Sequence, residues 1–133
     1  MKKLISAKSA GNILLTLLIL LSLFHILVLL NLLPSDIVWG GRAADSPDDM
    51  LIFEILGLLL TLLFIFSVVL KLGYIQAKKL NTIMKNGPWV ICIWFALNTV
   101  TNLLALNSLE QMIFAPLALI MSLCALRLAV EKE

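Results

Sequence analysis

Apolar residues come in four long blocks, and the polar ones collect between them. The blocks run 13–33, 50–70, 89–106 and 109–129. Runs such as Leu58-Leu59-Leu60 put large apolar side chains on every side. They break the period-two alternation that a membrane barrel strand needs. Each block has roughly the 17–25 residues with which a helix crosses a bilayer. With their flanking start signals, the helices are predicted at about 13–33, 47–71, 88–106 and 109–129. That predicts an all-α integral membrane protein: one domain over 1–133, folded as an antiparallel four-transmembrane-helix bundle.

The punctuation between the blocks sharpens the ends. Asn31 and Pro34 close the first helix, because proline cannot continue one. Ser46-Pro47-Asp48-Asp49 reads as a helix start: a capping serine, proline at N1, and acids facing the positive end of the dipole. The second block ends at Lys71 and Gly73. The stretch 74–85 places Leu80, Ile83 and Met84 on one side and carries Lys78, Lys79 and Lys85, the pattern of a short piece lying on an anionic leaflet. Gly87-Pro88 opens the third helix. Ser108-Leu109-Glu110-Gln111 fits a capping box, and Pro116 is expected to bend the fourth helix. That helix carries a stripe of small residues, Ala115, Ala118, Ser122, Ala125 and Ala129, of the kind that lets membrane helices approach closely. Together with Gln111, the stripe is expected to face another helix.

Composition agrees with the pattern. The chain is 62% hydrophobic and 14% charged, against about 45–50% and about 25% in soluble domains. A net charge of +2 gives no reason to expect nucleic acid; the bilayer is the expected partner. The distribution of charge says more than its sum. Lys2, Lys3 and Lys8 precede the first block, Lys71, Lys78, Lys79 and Lys85 follow the second, and Arg127 and Lys132 end the fourth. Only Arg42 stands on the other side. The positive-inside rule then places both termini in the cytoplasm and the acidic loop 35–49 outside. The first apolar run exceeds a signal peptide's h-region and lacks a small-residue cleavage site after it, so it reads as a retained transmembrane helix of the cytoplasmic (inner) membrane.

Threaded this way, the few polar residues inside the blocks sort by depth. His25, Glu54, Asn98, Asn102 and Glu110 all fall in the outer half, beneath the loop that carries Trp39, Gly40, Gly41 and Arg42. Ionisable side chains within a hydrocarbon layer are costly and mark functional sites. The candidate ligand-binding set is therefore His25, Glu54, Asn98, Asn102, Trp39 and Arg42. Each has a plainer reading. The asparagines can be interhelical hydrogen-bond glue, His25 a satisfied buried imidazole, Glu54 an interfacial acid paired with His25 or Arg42, and Trp39 a headgroup anchor. No catalytic residue, metal or cofactor is predicted. Cys92 and Cys124 stand alone, a single histidine does not make a zinc site, and no P-loop, HExxH or G-x-S-x-G occurs.

Three segments carry a resemblance: PSDIVWGGR at 34–42, Phe53-Glu54, and FALNTVTNL at 95–103. Through them the chain resembles uncharacterised small four-span bacterial membrane proteins with an I-V-W-G-G-R extracytoplasmic loop. The resemblance implies a four-helix integral membrane fold and no particular activity. Two functions stay open from the residues themselves. One is an outward-facing polar site for a small ligand, lipid or ion. The other is a small structural or interaction subunit that binds a membrane-protein partner or itself. A membrane enzyme is a weaker third, resting on nothing more specific than a histidine near a glutamate.

Overall fold

The computed structural model describes residues 4–33, 47–106 and 108–132. Helix α1 spans Ala7–Leu29, α2 Pro47–Lys71, α3 Lys78–Ile83 and α4 Gly87–Leu103. A π-helical turn, Glu110–Phe114, runs directly into α5, Ala115–Ala129. No strand occurs among the described residues. Pro34, Trp39, Gly40, Gly41, Arg42 and Ser46, with the turn and the cap expected of them, lie outside these residues.

Helix ends differ from the apolar blocks wherever a polar cap overrides hydrophobicity. α1 starts six residues before the block it contains. Ser6 caps it, its hydroxyl accepting from the Ser9 amide at 3.0 Å, so Lys8, Ser9 and Asn12 are helical despite their polarity. It also stops earlier. Asn31 adopts a left-handed φ of 58°, the Asn31 amide donates to Val28 O, and the Leu32 amide donates to Leu27 O. That is the Schellman pattern, with asparagine where glycine is commoner. Gly73, at φ 77°, closes α2 the same way, with Tyr74 N donating to Val69 O. α4 ends at Leu103, short of the expected 106. At the start of the fourth block the chain widens into a π turn, and the Ala115 amide reaches back five residues to Glu110 O. Pro116, the next residue, has no amide to donate and crowds the carbonyl four residues back. The chain thus changes helix type just before Pro116.

α1 packs on α2 and on α5, and α4 packs on α5 and more lightly on α2. Their directions follow from side-chain contacts. Tyr74, just past α2, donates to Asn12 Oδ1 near the start of α1 at 2.6 Å. Arg127, near the end of α5, donates through Nε to Ile5 O at 2.9 Å. Gly87, at the start of α4, lies against Ser67 near the end of α2. Neighbours therefore run antiparallel. One end of the molecule holds Ile5, Tyr74, Gly87 and Arg127; the other holds His25, Glu54 and the π turn.

The main core among the described residues is a column of apolar side chains. Leu14 and Leu18 of α1, Phe64 and Val68 of α2, Ile91 and Phe95 of α4, and Ala118 and Ala125 of α5 meet there, all buried. Phe64 stands edge-on to Phe95 and to Trp94. The small stripe is part of this column: Ala115, Ala118, Ser122 and Ala125 are buried, and Ser122 Oγ donates to Cys92 O of α4 at 2.8 Å. Gln111, expected on the same face, is instead exposed, and its amide donates to Ala105 O at 2.8 Å. The π turn rotates it off the stripe, because an extra residue per turn breaks the 3-4 spacing. α3 buries no residue; Leu80 and Ile83 are exposed.

Outside the column, large apolar side chains are exposed along every long helix, among them Leu20, Leu23, Leu56, Leu59, Leu97 and Leu119. A soluble protein does not leave apolar surface open on that scale. Three helices among the described residues, Ala7–Leu29, Asp49–Lys71 and Glu110–Ala129, are long and apolar enough to cross a membrane. Together these features mark a helical membrane protein. Thr16, Ser22, Thr61 and Thr99 each return their hydroxyl to the carbonyl four residues back, as hydroxyls in a non-aqueous surrounding must.

Candidate functional site: a buried histidine–glutamate pair

Glu54 heads a line of buried positions on α2 that continues through Gly57, Thr61, Phe64 and Val68. This 3-4 spacing aims all of them at α1 and the core. His25 occupies the matching place on α1, in the line Leu14, Leu18, Ser22, His25, Val28. The two facing lines bring His25 Nδ1 to 2.7 Å from Glu54 Oε2. Glu54 is 1% exposed and His25 8%. A separation this short requires one proton between the atoms. Either Nδ1–H donates to a carboxylate, or a carboxyl O–H donates to a bare Nδ1. The pair can therefore hold a proton in two places along one line, and that is its basic chemical capability.

Among the described residues, aromatic and apolar side chains stand beside the pair. Phe24 stands edge-on to the His25 ring and, at 5.3 Å and 71°, to Phe114 in the π turn. Val28 and Met50 form a small apolar cluster at the same end, with Phe24 and Leu33 against it. The Phe24–Phe114 contact sets the π turn at the level of His25. The turn begins with a second buried carboxylate, Glu110, 2% exposed. Among the described residues no group of three or more His, Cys, Asp or Glu converges as metal ligands would. Glu110 thus shares the level of the pair without joining it in a ligand cluster.

The other expected members are placed differently. Asn98 is half-buried, and its Nδ2 donates to Trp94 O, one turn back in its own helix, at 2.9 Å. Asn102 is half-buried without a side-chain hydrogen bond. Neither bonds to His25 or Glu54, so among the described residues the bonded pair joins two helices, α1 and α2. The reason lies in the packing order: α4 sits against α5 and α2, across from α1. Trp39 and Arg42 lie outside the described residues.

One functional-looking residue escaped the sequence reading. Arg127, counted there only as a cytoplasmic charge, is 4% exposed. It bridges Ile5 O and the Glu131 carboxylate, the latter at 2.7 Å through Nη1. The Arg127-x-x-x-Glu131 spacing is the signal that could have found the second contact. The link to Ile5, across almost the whole chain, has no local signature.

No protein-family model, curated protein or solved structure matches this chain.

Proposed function

We propose that the chain is a four-span protein of a bacterial inner membrane, with both termini cytoplasmic, and that the His25–Glu54 pair is an outward-facing site for a small ligand, lipid or ion. α4 is the span in question, since its 17 residues reach only about 26 Å at 1.5 Å per residue. It is continuous with apolar sequence to Leu106 and sits between α2 and α5. Bilayer thinning accommodates so small a deficit. The likeness to small four-span bacterial proteins belongs to the same reading.

The observation that carries the site is the 2.7 Å contact between two ionisable groups, each more than nine-tenths buried, in a helical membrane protein with few polar residues to spend. One carboxylate and one imidazole suit a proton, an amine, a hydroxyl or a monovalent ion. A divalent cation takes about six oxygens. The alternative, a small structural subunit, cannot use the α5 stripe, because the stripe is already covered by α4 and α1. A stoichiometric partner on purification would have to sit elsewhere on the apolar surface.

The test is a thermal-unfolding screen of the purified protein against monovalent cations, small amines and alcohols. A compound that raises the midpoint of the wild type and not of Glu54→Gln supports the site. If every compound shifts both proteins alike, the pair is packing and the ligand reading fails.

A further inference from the structure

At the end opposite the histidine–glutamate pair, a cleft of about 330 Å³ opens between the start of α1, the end of α2 and the end of α5. Leu72 and Leu128 line it, with Tyr74 beside them. Around these stand three ammonium groups, Lys8, Lys71 and Lys132. The one acid lining it, Glu131, is already occupied: Arg127 Nη1 donates to its carboxylate at 2.7 Å, and Lys71 Nζ donates to its carbonyl at 3.3 Å. The Tyr74 hydroxyl donates its hydrogen bond to Asn12 Oδ1, so it walls the cleft and does not donate into it. Lys8 and Lys132 are exposed and, among the described residues, make no hydrogen bond or ion pair. The cleft also includes Ala7 and Lys8, whose amides begin α1 and have no helical carbonyl four residues back. Nothing in the histidine–glutamate reading uses any of this.

We propose that the cleft between the α1 start and the α2 and α5 ends holds a phosphate-bearing anion, supplied by a phospholipid headgroup. Lys8 and Lys132, together with amide donors at a helix start, offer positive charge and N–H groups that an anionic oxygen cluster would engage. The apolar Leu72 and Leu128 suit the glycerol and upper acyl carbons of a lipid better than a free ion. The level fits as well: Ala7 and Lys71 are the end residues of two candidate spans, which sets the cleft where headgroups lie. The placement rests on the membrane reading of those helices.

The experiment uses the full chain purified in a neutral maltoside detergent, with phosphatidylglycerol or phosphatidylcholine titrated in and thermal unfolding as the readout. Phosphatidylglycerol should protect the wild type and phosphatidylcholine should not. Charge near a membrane surface carries about a fivefold effect per lysine, so Lys8→Gln with Lys132→Gln should weaken that protection roughly 25-fold. Lys79→Gln, on α3 and outside the cleft, should leave it unchanged. Competition by millimolar inorganic phosphate supports the site and assigns it a soluble anion; absence of competition supports the site and assigns it the lipid. Equal protection by both lipids, or an equal loss in Lys79→Gln, overturns the proposal. Alkaline extraction of membranes, run in parallel, tests the membrane reading separately. A chain that stays in the membrane but shows no lipid preference refutes the cleft alone.

Discussion

His25 and Glu54 allow the two main readings of a buried polar contact to be separated by magnitude. Ordinary interhelical hydrogen bonds in membrane proteins contribute about 0.6 kcal/mol on average and reach about 1.7 kcal/mol. Breaking a buried ion pair by removing one partner costs about 3–5 kcal/mol, because the survivor is left buried without compensation. The pair is 2.7 Å long, with Glu54 1% exposed and His25 8%, so its coupling should exceed that of ordinary interhelical bonds. The perturbation is a double-mutant cycle of His25→Leu and Glu54→Met, which keep volume and remove polarity. Each single variant should be destabilised, and the double variant should lose at least about 2 kcal/mol less than the two single losses added together. The coupling should then be at least about 2 kcal/mol. Whatever else either side chain touches cancels in the cycle. The assay is reversible unfolding in mixed micelles with increasing dodecyl sulfate. A coupling at or below about 0.6 kcal/mol refutes the argument and reduces the pair to common interhelical glue.

Three further outcomes are expected. Gly87→Ala should destabilise by roughly 1–3 kcal/mol, since a Cβ there would meet Ser67 Oγ and lie 3.0 Å from Ser67 Cβ; a companion Ser67→Ala should restore part of the loss in the same unfolding assay, and an unchanged midpoint for Gly87→Ala would mean α2 and α4 are not in contact there. Ala118→Leu and Ser122→Leu should each cost roughly 1–3 kcal/mol by overpacking, because both positions are under 7% exposed; unaltered midpoints for both would put that stripe outside the protein. For the threading, single cysteines at Ala44 and Ala77, in a background without Cys92 and Cys124, should meet an impermeant thiol reagent on opposite sides of intact cells, and labelling of Ala77→Cys alone inverts the orientation.

The long helices were legible in the sequence because a bilayer asks for one simple quantity, a run of apolar residues of the right length. What the run did not reveal was where a helix stops. Ser6 and Asn31 decide the ends of α1 through hydrogen bonds, and hydropathy is blind to those. Depth along each helix was also legible, and it puts His25 level with Glu54. Azimuth was not. Asn98 shares their end of the molecule, yet it sits on a helix across the packing order from α1. A depth count cannot tell a neighbour from a diagonal. The π turn adds a second blind spot: by shifting register at 110–114 it turned Gln111 out of the stripe that regular spacing assigned to it.

The two polar ends have a joint consequence for α1. Its middle meets its neighbours through Leu14 and Leu18, both fully buried, and leucine-lined helices tolerate sliding because one turn looks much like the next. A slip of a single turn, about 5.4 Å, keeps most of that apolar contact. It does not keep the polar contacts. The same slip of α1 against α2 parts His25 from Glu54 at one end and Asn12 from Tyr74 at the other. It also pulls Ile5 O from Arg127 on α5. Register in this column is thus specified by hydrogen bonds at its ends, while the apolar middle supplies adhesion. Among the described residues, drawing Glu54 away from His25 therefore removes a side-chain hydrogen bond that, with the one between Tyr74 and Asn12, fixes α1 against α2 and the turn after it.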